Sequence, residues 1–125
     1  MRTLRIGILE DYQSLGRVLQ LSLGLAGHTV HIFHTIIDFL TFMTSPDPVD
    51  LVIVDFLLLA ERSEAGVSGV DVIRHIRTTS PDLPAILISA SPRETLEAAT
   101  AGLSGVKILT KPFKTAALLK MIETI

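Results

Sequence analysis

The sequence predicts an α/β fold, a doubly wound five-stranded parallel sheet with five helices. Three observations predict it. The apolar runs are short and continuous rather than alternating, as in strands covered by helices on both faces. Segments with helical periodicity lie between them. Strand and helix then alternate five times, an order that right-handed crossovers wind onto the two faces of one sheet.

The strands read in order as Leu4 to Leu9 (LRIGIL), Thr29 to Phe33 (TVHIF), Leu51 to Val54 (LVIV), Ala85 to Ser89 (AILIS) and Val106 to Leu109 (VKIL). The second and fifth are the less apolar. Ser14 to Ala26 is the first helix, with Leu15, Val18, Leu19 and Leu23 at helical spacing and Gly27 placed to close it. Ile36 to Met43 is the second, stopped by Ser45-Pro46-Asp47-Pro48. Val70 to Thr78 is the third, with Val72, Ile73 and Ile76 inward and Arg74 and Arg77 outward. Arg93 to Ala101, ended by Gly102, is the fourth and only weakly amphipathic. Thr115 to Ile125 is the fifth, with Leu118, Leu119 and Ile122 as its stripe.

Composition narrows the function classes. The 125 residues fit one domain, 1–125, with no repeat or linker. There is no cysteine, which excludes disulfides and thiolate chemistry. A net charge of -2 lacks the basic footprint of a nucleic-acid binder. The opening MRTLRIGILEDY has too short an apolar run for a secretory signal, and no run approaches the roughly 20 residues of a membrane span. A cytoplasmic location is expected.

In such a sheet, ligands bind beyond the carboxyl ends of the strands. Glu10 and Asp11 follow the first strand, Asp55 the third and Lys111-Pro112 the fifth, while Ser89 and Ala90 end the fourth. Three carboxylates, a hydroxyl and an ammonium thus converge on one edge. Carboxylates held close repel one another and lose hydration. A hard divalent cation offsets both, and oxygen ligands suit Mg²⁺. A carboxylate can also attack phosphorus to give an aspartyl phosphate, with metal and lysine stabilising the charge that develops. Asp55, lying centrally, is the natural nucleophile.

Glu10-Asp11, Asp55 after LVIV, Ser89-Ala90 and Lys111-Pro112-Phe113, each at its strand end, resemble the receiver domains of two-component response regulators. The resemblance covers essentially the whole chain. It implies the flavodoxin-like strand order 2-1-3-4-5. It implies Asp55 as phosphoacceptor, Glu10, Asp11, Asp55 and the backbone carbonyl of Leu57 around Mg²⁺, Ser89 as the switch hydroxyl, and Lys111 as the phosphate-pairing cation. A cis Lys111-Pro112 bond is expected with it. The implied partner is a sensor histidine kinase or phosphotransfer protein. The implied output face runs from Arg93 to Ile125, toward an effector domain or a receiver homodimer. The implied activity is a phosphorylation switch with autophosphatase action rather than a turnover enzyme, and nucleic acid is not bound directly. The chain ends with its last helix, which fits a stand-alone receiver or the front of a longer regulator.

Three features depart from the family pattern. Phe56 to Ser68 (FLLLAERSEAGVS) separates Asp55 from Gly69, a longer loop than usual and apolar at Leu57, Leu58 and Leu59. Its leucines read either as a docking surface or as a partly buried insertion. Ile108 stands three residues before the lysine, where an aromatic switch residue is usual. The segment Leu103 to Gly105 is also extended. These departures leave a phosphorylation-independent interaction module as the alternative. A metal-dependent phosphatase resembling the haloacid dehalogenase group would place a second aspartate two residues after the first, where Leu57 stands. His28, His31 and His34 point to alternate faces of a strand and do not converge on a metal. His75 is expected at the surface.

Overall fold

A computed structural model describes residues 2–58 and 67–125. Its elements are β1 (Arg5–Leu9), α1 (Gln13–Leu25), β2 (Thr29–Phe33), α2 (Ile36–Met43), β3 (Leu51–Asp55), α3 (Gly69–Ile76), β4 (Ala85–Ser89), α4 (Arg93–Ala99), β5 (Val106–Thr110) and α5 (Thr115–Glu123). The strands form one parallel sheet in the order β2-β1-β3-β4-β5. Each expected element is present, with ends shifted by at most two residues.

Burial follows position in that order. The central strands β3 and β4 are buried at every residue, whereas the outer strands β2 and β5 are mostly half-buried. A central strand has helices on both faces and neighbours on both edges, so it is apolar along its length, and its polar residues, Asp55 and Ser89, come only at the carboxyl end. An edge strand keeps one flank near water and tolerates Thr29, His31 and Lys107. The core accordingly splits in two. Ile6, Ile8, Ile53, Ile86 and Ile88 pack with Leu19 and Leu23 of α1 and Leu118 and Ile122 of α5. Val52, Val54 and Leu87 pack on the other face with Phe39 of α2, Ile73 and Ile76 of α3 and Leu96 of α4.

Local chemistry sets the helix ends. Thr35 caps α2 by accepting the Asp38 N–H. Ser68 and Asp71 form a capping box that starts α3. Gly27, after α1, has φ of +98°, which only glycine adopts without strain.

Two expectations need correction. Val18 is not part of the inward stripe of α1. It is 51% exposed, beside Leu21 at 65% and Leu25 at 80%, because the buried face is set by Gly16, Leu19 and Leu23. Arg77 does not point outward. Its guanidinium donates to the carbonyls of Leu83, Ser104 and Gly105 and so clamps the end of α3 to the segments before β4 and β5. The long loop is described only at its ends: Leu57 is 39% exposed, Leu58 is fully buried, and Leu59 lies outside the described residues. None of the described helices is long and apolar enough to cross a membrane.

Candidate functional site

The carboxyl ends of β1, β3 and β4 meet the loop after β5, and main-chain hydrogen bonds continue the sheet past the strand ends to fix them. The Glu10 N–H donates to the Phe33 carbonyl at 3.0 Å, the Phe56 N–H to Ile88 at 2.9 Å, and the Lys111 N–H to Ser89 at 2.7 Å. Each candidate side chain therefore sits on, or next to, a residue tied to its neighbouring strand. Asp55 is the last residue of β3 itself, paired in register with Ile88.

Glu10, Asp11 and Asp55 each offer a carboxylate oxygen within 4.8 Å of the others. Glu10 is fully buried and Asp55 is 2% exposed. Lys111, from a loop two strands away, reaches back along its flexible stem. Its Nζ donates to Glu10 Oε1 at 2.9 Å and to Asp55 Oδ2 at 3.2 Å. The second oxygen of each acid is also engaged: Glu10 Oε2 accepts the Tyr12 N–H at 3.1 Å, and Asp55 Oδ1 accepts the Leu57 N–H at 3.3 Å. The Tyr12 ring lies 5.4 Å from the Lys111 ammonium, a cation–π distance. The Lys111-Pro112 bond is cis, as expected.

The electrostatics follow from this crowding. Burial, then hydrogen bonding and repulsion from Glu10, push the Asp55 carboxyl up to about 7, against the opposing pull of Lys111. Burial alone would lower the Lys111 ammonium, but Glu10 and Asp55 together outweigh it and hold the group above its ordinary value. Three carboxylates face one ammonium, so the ionised cluster keeps an excess of two negative charges. Its donors are all oxygen. That set fits a hard divalent cation and does not fit a soft metal.

Ser89 is buried at the end of β4, one residue beyond the register partner of Asp55. Its hydroxyl is engaged locally, accepting the Ser91 N–H at 3.0 Å and donating to Ser91 Oγ at 3.1 Å. The histidines go to separate partners. His28 Nδ1 accepts the Leu4 N–H at 3.1 Å, His31 stacks on Phe42, and His34 Nδ1 donates to the Glu10 carbonyl at 2.8 Å. His75 is exposed.

Sequence reasoning did not single out Tyr12, Ser91 or the close approach of Gly69. The position directly after the acidic pair, or two after the serine, carries no pattern of its own. In the sequence Gly69 stands at the end of the long loop and gives no sign of a close approach. In the structure its N–H donates to the Phe56 carbonyl at 2.9 Å, and a Cβ there would lie 2.2 Å from the Asp55 carbonyl oxygen.

The comparisons with known proteins agree with this geometry. The family model of the response regulator receiver domain matches residues 6–123. An uncharacterised transcriptional regulatory protein, YkoG of Bacillus subtilis, is 33% identical, over 93% of this chain and 48% of its own length. The response regulator MprA of Mycobacterium ulcerans is 27% identical, over 98% of this chain and 50% of its own. The chain thus spans about half the length of these curated relatives. Among solved structures, the chemotaxis protein CheY4 of Vibrio cholerae superposes with a TM-score of 0.86 at 17% identity, covering 99% of both chains. The receiver domain of NtrX from Brucella abortus gives 0.82 at 21%, covering 95% of both. Five strands in one order, an acid–lysine cluster at their carboxyl ends and a family match over nearly every residue lead to one assignment: the chain belongs to the response regulator receiver domains of two-component signalling.

Proposed function

We propose that this receiver takes a phosphoryl group on Asp55 from a phosphohistidine of a sensor kinase or phosphotransfer protein. The observation that carries the reading is the Lys111 ammonium set between the buried acids Glu10 and Asp55, with Asp11 completing the cluster. An Asp55 carboxylate oxygen attacks phosphorus, a P–O bond forms, and the P–N bond to the imidazole breaks as the donor nitrogen takes the electron pair. Glu10, Asp11, Asp55 and the Leu57 carbonyl would hold Mg²⁺. When bound, the ion supplies charge stabilisation to the equatorial oxygens and favours the anionic carboxylate. Lys111 leaves its contact with Asp55 Oδ2 to pair with a phosphoryl oxygen. Ser89 donates to another. In autophosphatase action water attacks the same phosphorus, a new P–O bond forms, and the P–O bond to Asp55 breaks, which releases inorganic phosphate and returns the carboxylate. The intact cluster argues against a degenerate, phosphorylation-independent module.

Charge on Asp55 then biases the face from Arg93 to Ile125 toward an effector domain or a second receiver. A cytoplasmic setting, beside a kinase's cytosolic domains, belongs to the same reading. The test is incubation with Mg²⁺ and acetyl phosphate, followed by intact mass. The expected result is the gain of one phosphoryl group by the wild type and none by Asp55→Asn. A gain that survives Asp55→Asn, or no gain under any donor, overturns the assignment.

A further inference from the structure

We propose that Ser91 is a positioning residue for Ser89: it holds the Ser89 hydroxyl proton in the resting protein and so sets how readily that hydroxyl turns to a phosphoryl group. The inference rests on the reading of Asp55 as phosphoacceptor. Ser89 is 1% exposed, and among the described residues both of its hydroxyl hydrogen bonds go to Ser91. A hydroxyl has one proton and two acceptor lone pairs. The contact from the Ser91 N–H uses a lone pair and can persist when the hydroxyl rotates. The contact to Ser91 Oγ uses the proton, and a proton given to Ser91 is withheld from a phosphoryl oxygen. The competition therefore resides in one atom, the Oγ of Ser91.

The same short turn has an onward link. Arg93, the first residue of α4, donates to the Ile108 carbonyl of β5 at 3.2 Å. A guanidinium on a main-chain carbonyl, not a ring, joins the turn to β5 at the position where this chain has isoleucine. A turn released at Ser91 thus has a route to β5 that needs no aromatic side chain.

The experiment is titration of the protein with beryllium fluoride in saturating Mg²⁺, for wild type, Ser91→Ala, Ser91→Thr, Ser89→Ala and the Ser89→Ala/Ser91→Ala double variant. Loss of one neutral hydrogen bond in the resting state predicts roughly two- to tenfold tighter binding by Ser91→Ala. Ser91→Thr, which keeps the hydroxyl, is expected to bind as the wild type does. The Ser91→Ala gain is expected to vanish in the Ser89→Ala background. Equal or weaker binding by Ser91→Ala, or the same gain without Ser89, overturns the inference while leaving the phosphoacceptor reading intact. A wild type that does not bind, or an Asp55→Asn variant that binds equally well, overturns both.

Discussion

Gly69→Ala tests how the third helix is seated against the functional edge of the sheet. The added Cβ would stand 2.2 Å from the Asp55 carbonyl oxygen and 2.9 Å from both the Asp55 carbonyl carbon and Val54 Cγ1. That is more than about 1 Å short of ordinary contact. The obstacle is the backbone of a central strand, which cannot rotate away as a side-chain tip can. Overpacking of this kind costs about 1–3 kcal/mol or more, and the rigid partner favours the upper end. The better helix propensity of alanine returns only about 0.5–1 kcal/mol. With unfolding entropy near 2.1 cal/mol/K per residue, about 2 kcal/mol net lowers Tm by about 8 °C in this 125-residue chain. Displacing Asp55 by an ångström should also slow phosphorylation from acetyl phosphate by up to about a hundredfold. Gly24→Ala is the control. Gly24 sits in α1 with nothing within 4 Å of an added Cβ, so the same substitution should raise Tm by about 2–4 °C. Circular dichroism melts read both. If Gly69→Ala melts within about 1 °C of wild type and phosphorylates at its rate, α3 does not press on Asp55 as described.

Other outcomes follow from the same structure. Asp55 holds its proton more tightly folded than unfolded, with a value of about 7 against an ordinary 3.8. In chelator, its contribution is therefore full below about pH 4 and declines as the pH rises through 7. Urea midpoints between pH 4 and 8 should show that slope in wild type and lose it in Asp55→Asn. Because a cation competes with that proton, Mg²⁺ affinity measured by calorimetry should rise with pH to about 7 and then level; affinity independent of pH would contradict a buried, raised Asp55. Lys111→Met leaves Glu10 and Asp55 without their shared ammonium, so it should lower stability in chelator, by about 1–3 kcal/mol after discounting for partial protonation of Asp55, and Mg²⁺ should restore more than it does in wild type. Thermal shift with and without Mg²⁺ reads both effects. Leu58→Ala should cost about 2–5 kcal/mol by urea denaturation, and Leu57→Ala less than about 0.5 kcal/mol, because only Leu58 is buried.

The strands, helices and most of the site could be read from the chain because each is written locally. Continuous apolarity marks a doubly covered strand. The acids and the lysine stand at strand ends, where topology alone gathers ligand-binding groups. Val18 and Arg77 were misplaced because helical spacing gives a face only to within one residue, and because arginine's reach lets a nominally outward position turn onto carbonyls. Three neighbouring leucines carry no alternation, so nothing in the sequence distinguishes the buried Leu58 from the exposed Leu57.

By itself the sequence determined the α/β alternation, the identity of the acid cluster and the chemistry that oxygen donors and an ammonium can support. The tertiary structure decided the distances. Lys111 meets Asp55 56 positions away and Glu10 101 positions away, and that meeting exists only because β5, β4, β3 and β1 lie side by side in register. It also decided that Asp55 is buried beside a like charge, that Gly69 must lack a side chain, and that the Ser89 proton is already held by Ser91. Periodicity records which face a residue occupies, whereas burial, repulsion and competition for one proton depend on neighbours that only folding supplies.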